Sequence, residues 1–292
     1  MSIDKLQEKI RKLKTPLVVD FSVCSEHIPD HIRNKEESFM SAYHAFGQNL
    51  LMGLKNLVPA VRFDFNTFAV FGAEGMTVLE ELLRVARGQG YYIFLDGVQA
   101  LSAQSASTAA NMFLSRECRW DFDGLVLSSY IGSDGFRPYV SLLKESGKDL
   151  FVVIRTSNKS ATELQDLLAG GRLVHMANAD IVNRYTGALV GKSGYSQLAI
   201  VAAASSADSL RSLRSKYKNM FMLLDGYDYP NSNAKNCSYA FDELGRGAAA
   251  CAGISITAAW RENETDGLDF VDQAVAAVER AKKNLLRYLT IL

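Results

Sequence analysis

The sequence predicts an α/β protein of the (β/α)8 TIM-barrel class, in which eight parallel strands close into a ring and a helix follows each. Three observations predict it. Short β-rich apolar runs alternate with longer segments of helical period along the whole chain. Eight such pairs fit into 292 residues, and 48% hydrophobic content supplies a large core. Only five prolines occur and no Gly/Ser-rich linker divides the chain, so one domain spanning 1–292 is expected. With one strand miscounted, an open doubly wound sheet would take its place.

The elements are read in order. Leu6, Ile10 and Leu13 fall on one face of an extra helix at 4–13, placed to plug or flank the barrel bottom. Strands are expected at 17–21, 60–63, 91–95, 124–127, 150–154, 198–202, 220–224 and 253–257, each a short apolar run. Helical periodicity fills the intervals at 35–57, 75–87, 103–116, 135–145, 161–183 with breaks, 207–216, 239–245 and 270–289. Parallel strands of one ring put their C-terminal ends on the same face, where barrel enzymes do chemistry. Asp20 and Asp96 are therefore candidate site residues, although either could instead cap the helix after its strand.

Composition narrows the function. Lys plus Arg equals Asp plus Glu at 32 each, so no global field favours nucleic acid or an anionic membrane. A small-molecule ligand held by local groups is the expected partner. The four cysteines, Cys24, Cys118, Cys237 and Cys251, lack CxxC spacing and fit a reduced, cytoplasmic protein. A secretion signal and an apolar run of spanning length are not read in the sequence. Cys24-x-x-His27-x-x-x-His31 suggests metal ligation, but Pro29 interrupts it and no second cluster follows, so no metal is expected. Tyr227, Tyr229, Tyr239 and Phe241 offer a stacking platform or, more simply, packing for a lid or an interface.

The segment Leu95-Asp96-Gly97-Val98-Gln99-Ala100-Leu101-Ser102 has the shape of a catalytic turn. An apolar strand, Tyr91 to Leu95, leads into one carboxylate and then into small and polar residues that open a helix. Upstream, Val61-Arg62-Phe63-Asp64-Phe65-Asn66-Thr67-Phe68 runs into Phe71-Gly72-Ala73-Glu74-Gly75. Downstream, Leu150 to Asn158 ends in Arg155-Thr156-Ser157-Asn158 and is followed by Glu163-Leu164-Gln165-Asp166-Leu167. Asp123-Gly124 leads through Tyr130-Ile131-Gly132 to Phe136-Arg137-Pro138. In these blocks the chain resembles the orotidine 5′-phosphate decarboxylase family, in particular its longer bacterial branch, over nearly its whole length.

That resemblance implies a TIM barrel, a homodimer, and decarboxylation without a cofactor in pyrimidine nucleotide synthesis. It also implies a charge array: a lysine after the second strand and Asp-x-Lys-x-x-Asp after the third, whose last aspartate reaches the neighbouring subunit. Here those positions read Arg62, Asp96, Val98 and Leu101. Val98 carries no proton, and the amide of Gln99 is no acid near neutral pH. Arg62 keeps the charge, yet a guanidinium with pKa above about 12 is a poor proton donor. An Arg62–Asp96 ion pair at the barrel mouth is the bland alternative.

The phosphate clamp that the resemblance implies after the seventh and eighth strands is likewise altered. The seventh loop reads Leu224-Asp225-Gly226-Tyr227-Asp228-Tyr229-Pro230-Asn231, which places two aspartates where a dianion would sit. Arg246 and Arg261 are the nearby cations that would have to compensate. Asp20, at the ribose position, and Ser157 with Asn158, near the pyrimidine edge, are retained as candidate ligand-binding residues; the latter two could equally be turn residues. Two functions follow: a decarboxylase with substituted groups, or a silent relative kept as a binding or regulatory module for a pyrimidine nucleoside or nucleotide.

Overall fold

The computed structural model describes every residue except Gln99 and Glu264, and it is a closed (β/α)8 TIM barrel. The eight barrel strands are β1 (Leu17–Asp20), β2 (Ala60–Asp64), β3 (Tyr92–Asp96), β4 (Gly124–Ser128), β5 (Asp149–Val153), β8 (Leu198–Ala203), β9 (Met222–Asp225) and β10 (Ala248–Ala252). They pair in parallel around the ring, and β1 joins both β2 and β10 to close it. A two-stranded antiparallel hairpin, β6 (Leu168–Ala169) and β7 (Arg172–Leu173), is inserted after β5.

Strand periodicity divides the core in two. Val18, Ala60, Tyr92, Phe94, Phe151, Phe221, Ala249 and Cys251 belong to the cluster inside the ring. Their outward neighbours, such as Val19, Val61, Ile93 and Val152, pack under the surrounding helices. Gly124 opens β4 because the interior there is already full. A Cβ at that position would lie 2.6 Å from the Tyr92 hydroxyl and 2.9 Å from the Phe151 ring. The helix Ser2–Leu13 buries Ile3, Leu6 and Ile10 against the interior cluster, whereas Leu13 is left outside that buried face.

Several boundaries differ from the sequence reading for identifiable reasons. The eighth barrel strand is Ala248–Ala252, not 253–257; the latter stretch holds Gly253 and the one-turn helix Ile254–Thr257. Alanine is a weak strand former on its own, so the β-branched Ile254, Ile256 and Thr257 drew the assignment. The barrel prefers the small residues because they let the last strand pack closely on both faces. Residues 239–245 hold no helix, and the seventh unit's helix is Ala234–Ser238, capped by Asn233 accepting from the Asn236 N–H at 2.9 Å. The expected 135–145 helix is broken into Arg137–Val140 and Leu143–Ser146. Within 161–183 only Val174–Asn183 is α-helical, after the hairpin turned by Gly170 and Gly171. The helix expected at 35–57 runs from Phe39 to Gly53, and Ser38 caps it by accepting the Ser41 N–H at 3.0 Å.

Candidate functional site at the barrel mouth

Four barrel strands, β1, β2, β3 and β9, end in aspartate: Asp20, Asp64, Asp96 and Asp225. The alternation that puts Val18, Ala60, Phe94 and Leu223 inside carries the residues two positions on to the inner rim of the mouth. Asp20 and Arg62 are register partners across β1 and β2. Arg62 reaches across the opening rather than out of it.

The guanidinium is held on three sides. Nη1 donates to Asp225 Oδ1 at 2.6 Å and lies 3.4 Å from Asp20 Oδ2, and Nη2 donates to Asp96 Oδ2. The expected Arg62–Asp96 pair is therefore present, enlarged by two further carboxylates. Cys251 Sγ lies 3.8 Å from Nη1. The Arg62 side chain is 13% exposed. Burial works against its charge, but Asp96, Asp20 and Asp225 outweigh burial and hold the proton on well above the usual guanidinium range. Burial raises the Asp20 carboxyl, with Arg62 and the Ser22 hydrogen bonds opposing it, and it pushes the Cys251 thiol far up. The Ser22 N–H and hydroxyl donate to Asp20 Oδ1 at 2.9 and 2.7 Å.

Asp64 has a different occupation. It caps the helix Phe65–Ala69, accepting from the Asn66 N–H at 3.2 Å and the Thr67 hydroxyl at 2.8 Å. The turn after β3 passes through Gly97 at φ 83°, where a Cβ would fall 2.2 Å from Asp64 Oδ1. Beyond that turn Val98 is buried in the outer core, and Leu101 is 80% exposed. Gln99 lies outside the described residues. Ser102 then caps the helix Ala103–Phe113.

The other anticipated residues divide. The Ser157 hydroxyl donates to the backbone carbonyl of Asp225, which ties the β5 loop to the β9 loop. Asn158 is exposed and accepts from the Thr156 hydroxyl. Arg155 turns away to Asp166, with Nε and Nη2 donating at 3.0 and 2.8 Å. Beside this loop opens a cavity of about 410 Å³, lined by Ser128, Val153, Thr156, Gln165 and Asn178 among others. Its named polar groups are uncharged. Cys24 and His27 come together with Glu26, whereas His31 lies tilted against Phe270, with ring centroids 6.3 Å apart.

Asp228 was anticipated only as a source of repulsion. Its Oδ2 accepts the backbone N–H of Gly253 at 2.9 Å and of Ser255 at 3.1 Å, at the start of the one-turn helix Ile254–Thr257. Backbone donors after the last barrel strands are where such folds commonly bind phosphate. The only sequence signal was the aspartate itself within an otherwise turn-like run. Arg246 pairs with Asp242 at 3.0 Å and Arg261 with Glu26 at 3.6 Å, so each cation has an acidic partner outside the mouth.

Fold and site define a (β/α)8 barrel whose charged residues converge on the C-terminal mouth. No family model matches the chain. Among curated proteins, the orotidine 5′-phosphate decarboxylase of Caldicellulosiruptor saccharolyticus is 26% identical over 259 residues, covering 84% of this chain and 85% of that one. The orotidine 5′-monophosphate decarboxylase of Plasmodium berghei shares the fold at TM-score 0.78 and 13% identity, covering 98% and 97% of the two chains. That of Methanocaldococcus jannaschii, solved with the inhibitor BMP, superposes at TM-score 0.61 and 12% identity over 92% and 97%. In sequence and in fold the chain is thus similar to orotidine 5′-phosphate decarboxylases.

Proposed function

We propose that this protein is a decarboxylase-like barrel that does not decarboxylate orotidine 5′-phosphate and serves as a binding or regulatory module for a less anionic ligand. One observation carries the reading. The cation of the mouth, Arg62, is saturated by Asp20, Asp96 and Asp225, so its charge is neutralised before any ligand arrives.

Decarboxylation leaves a carbanion that needs both a stabilising charge and a proton. A guanidinium held by three carboxylates supplies neither readily. Val98, at the position of the family's proton donor, is an apolar side chain in the outer core. Loss of one preorganised charge typically costs on the order of 3–4 kcal/mol in a transition state, and this arrangement lacks more than one. Asp228 supports the same reading from the phosphate side, because a carboxylate already occupies the amides of Gly253 and Ser255.

The ligand class that fits is a pyrimidine nucleoside or a related neutral molecule. Asp20 would meet a ribose hydroxyl, and the cavity beside Ser157 and Asn158 would take the ring. A cytoplasmic homodimer completes the proposal, with Leu101 supplying an apolar subunit contact where the family brings a carboxylate. In the described chain no helix is long and apolar enough to cross a membrane.

The test is twofold. Purified protein is assayed for carbon dioxide release from orotidine 5′-phosphate, and titrated calorimetrically with uridine, uridine monophosphate and orotidine 5′-phosphate. No turnover, with uridine bound at least as tightly as the nucleotides, is the expected result. Turnover at ordinary enzyme rates would overturn the proposal and restore a working decarboxylase.

A further inference from the structure

A groove of about 680 Å³ lies where the last helix, Phe270–Leu286, meets the loops that follow β9 and β10. That helix packs against the short helix Ala234–Ser238 and the one-turn helix Ile254–Thr257. Ala277, Ala281 and Asn284, spaced four and three residues apart on one face, line the groove, and the two alanines are too small to fill it. Three cations line it as well: Lys235 from the short helix, Arg280 from the long one and Arg287 just past its end. All three are exposed, and among the described residues their side chains make no ion pair, whereas Arg246 and Arg261 are each paired with an acid. The acids of the groove are Glu262 and Asp228, and Asp228 Oδ2 is already engaged by the Gly253 and Ser255 N–H groups. Positive charge is therefore in surplus. Tyr227 and the half-exposed Tyr288 also face it, and Ser232 Oγ is buried at its edge without a hydrogen-bond partner among the described residues.

We propose that this groove is a second ligand site, separate from the mouth, and that it takes a nucleoside triphosphate. An anion that joins three unpaired cations breaks no existing ion pair, so the charge-assisted contacts it makes are a net gain. Cations supplied by separate elements call for a chain of phosphates rather than a single one. Tyr288 offers a ring face to a base, and such stacking accepts any base because each has a π-face. The Ser232 hydroxyl and the Asn284 amide are neutral partners for the sugar and phosphate oxygens. The volume falls within the range of about 300–1,000 Å³ usual for small-molecule sites. At the Arg62 rim the balance is reversed, since three carboxylates surround one cation and repel the same ligand. The two sites thus divide by charge, and the groove stands whether or not the mouth decarboxylates.

The test titrates the full chain calorimetrically at low salt with uridine triphosphate, inorganic tripolyphosphate and uridine monophosphate. Uridine triphosphate is expected to bind most tightly and the monophosphate about tenfold or more weakly. Arg280→Ala should weaken both polyphosphates about tenfold. Lys283→Ala removes the same charge from the same helix but off this groove, and it should change neither by more than about twofold. Tyr288→Ala should weaken uridine triphosphate about fivefold and leave tripolyphosphate unchanged. All three substituted side chains are exposed, so the fold is kept. Equal losses in Arg280→Ala and Lys283→Ala, or no binding of either polyphosphate, overturn the site. Uridine triphosphate bound no more tightly than tripolyphosphate, or unaffected by Tyr288→Ala, overturns the nucleoside part of the proposal.

Discussion

Asp228 holds its carboxylate against the backbone N–H of Gly253 at 2.9 Å, an arrangement in which the chain supplies its own anion to the end of the barrel. At an effective dielectric of about 20, two like charges about 4 Å apart repel by about 4 kcal/mol, enough to exclude a phosphate from the same donors. Asp228→Ala frees those donors and removes the repulsion. The variant is expected to bind inorganic phosphate or uridine monophosphate about tenfold or more tightly than the wild type by calorimetry, and unchanged affinity would disprove the blocking role.

Arg62 is predicted to hold the mouth together. Arg62→Met leaves Asp20, Asp96 and Asp225 facing one another with no cation between them. Removing one partner from a buried ion cluster typically costs about 3–5 kcal/mol. Urea denaturation should show a loss of that order, and adding Asp225→Asn to the variant should recover part of it. A single variant as stable as the wild type would mean that the cluster is mechanically idle.

The far end of the ring titrates differently. Burial raises the Asp149 carboxyl well above the usual range; the hydrogen bond from the Tyr92 hydroxyl, 2.8 Å from Oδ2, opposes this and the Asp123 charge adds to it. A folded-state pKa above the unfolded one means that the stability contributed by protonated Asp149 is full below about pH 4. It is then lost as pH rises from the unfolded pKa through the raised one. Asp149→Asn abolishes this dependence, so the variant should gain on the wild type between pH 4 and pH 7 in thermal unfolding. A parallel pair of stability curves over that range would refute it.

Gly124→Ala tests interior packing. The new Cβ meets the Tyr92 hydroxyl and the Phe151 ring inside the barrel, and overpacking of this kind costs about 1–3 kcal/mol. Chemical denaturation measures it directly. A neutral outcome would require the two aromatic rings to have room that the structure does not give them.

The barrel was legible because strand and helix periods differ so plainly along the chain, and because four apolar runs close on an aspartate. The last strand was not. Ala248 to Ala252 carries no β-branched side chain, and its fitness comes from neighbours on both faces that no local pattern reports. Helix limits suffered for a related reason: the 239–245 segment has helical spacing, but Asn233 provides a cap only upstream. At the site, Arg62 and Asp96 could be paired from their strand-end positions alone. Asp225 could not be assigned to Arg62, since the contact spans 163 positions and depends on ring closure. The bond from Asp228 to Gly253 and Ser255 was hidden for the same reason, as it joins two loops whose proximity exists only in the folded ring.

The three carboxylates around one guanidinium also have a kinetic consequence. A rim with a net surplus of two negative charges, focused by the apolar wall beneath it, acts on a ligand before contact is made. Cations and neutral dipoles oriented positive end first are drawn in at rates that fall with added salt, and anions are slowed at rates that recover with it. A ligand of the proposed class would thus be selected in the surrounding solution, about a Debye length away from the rim.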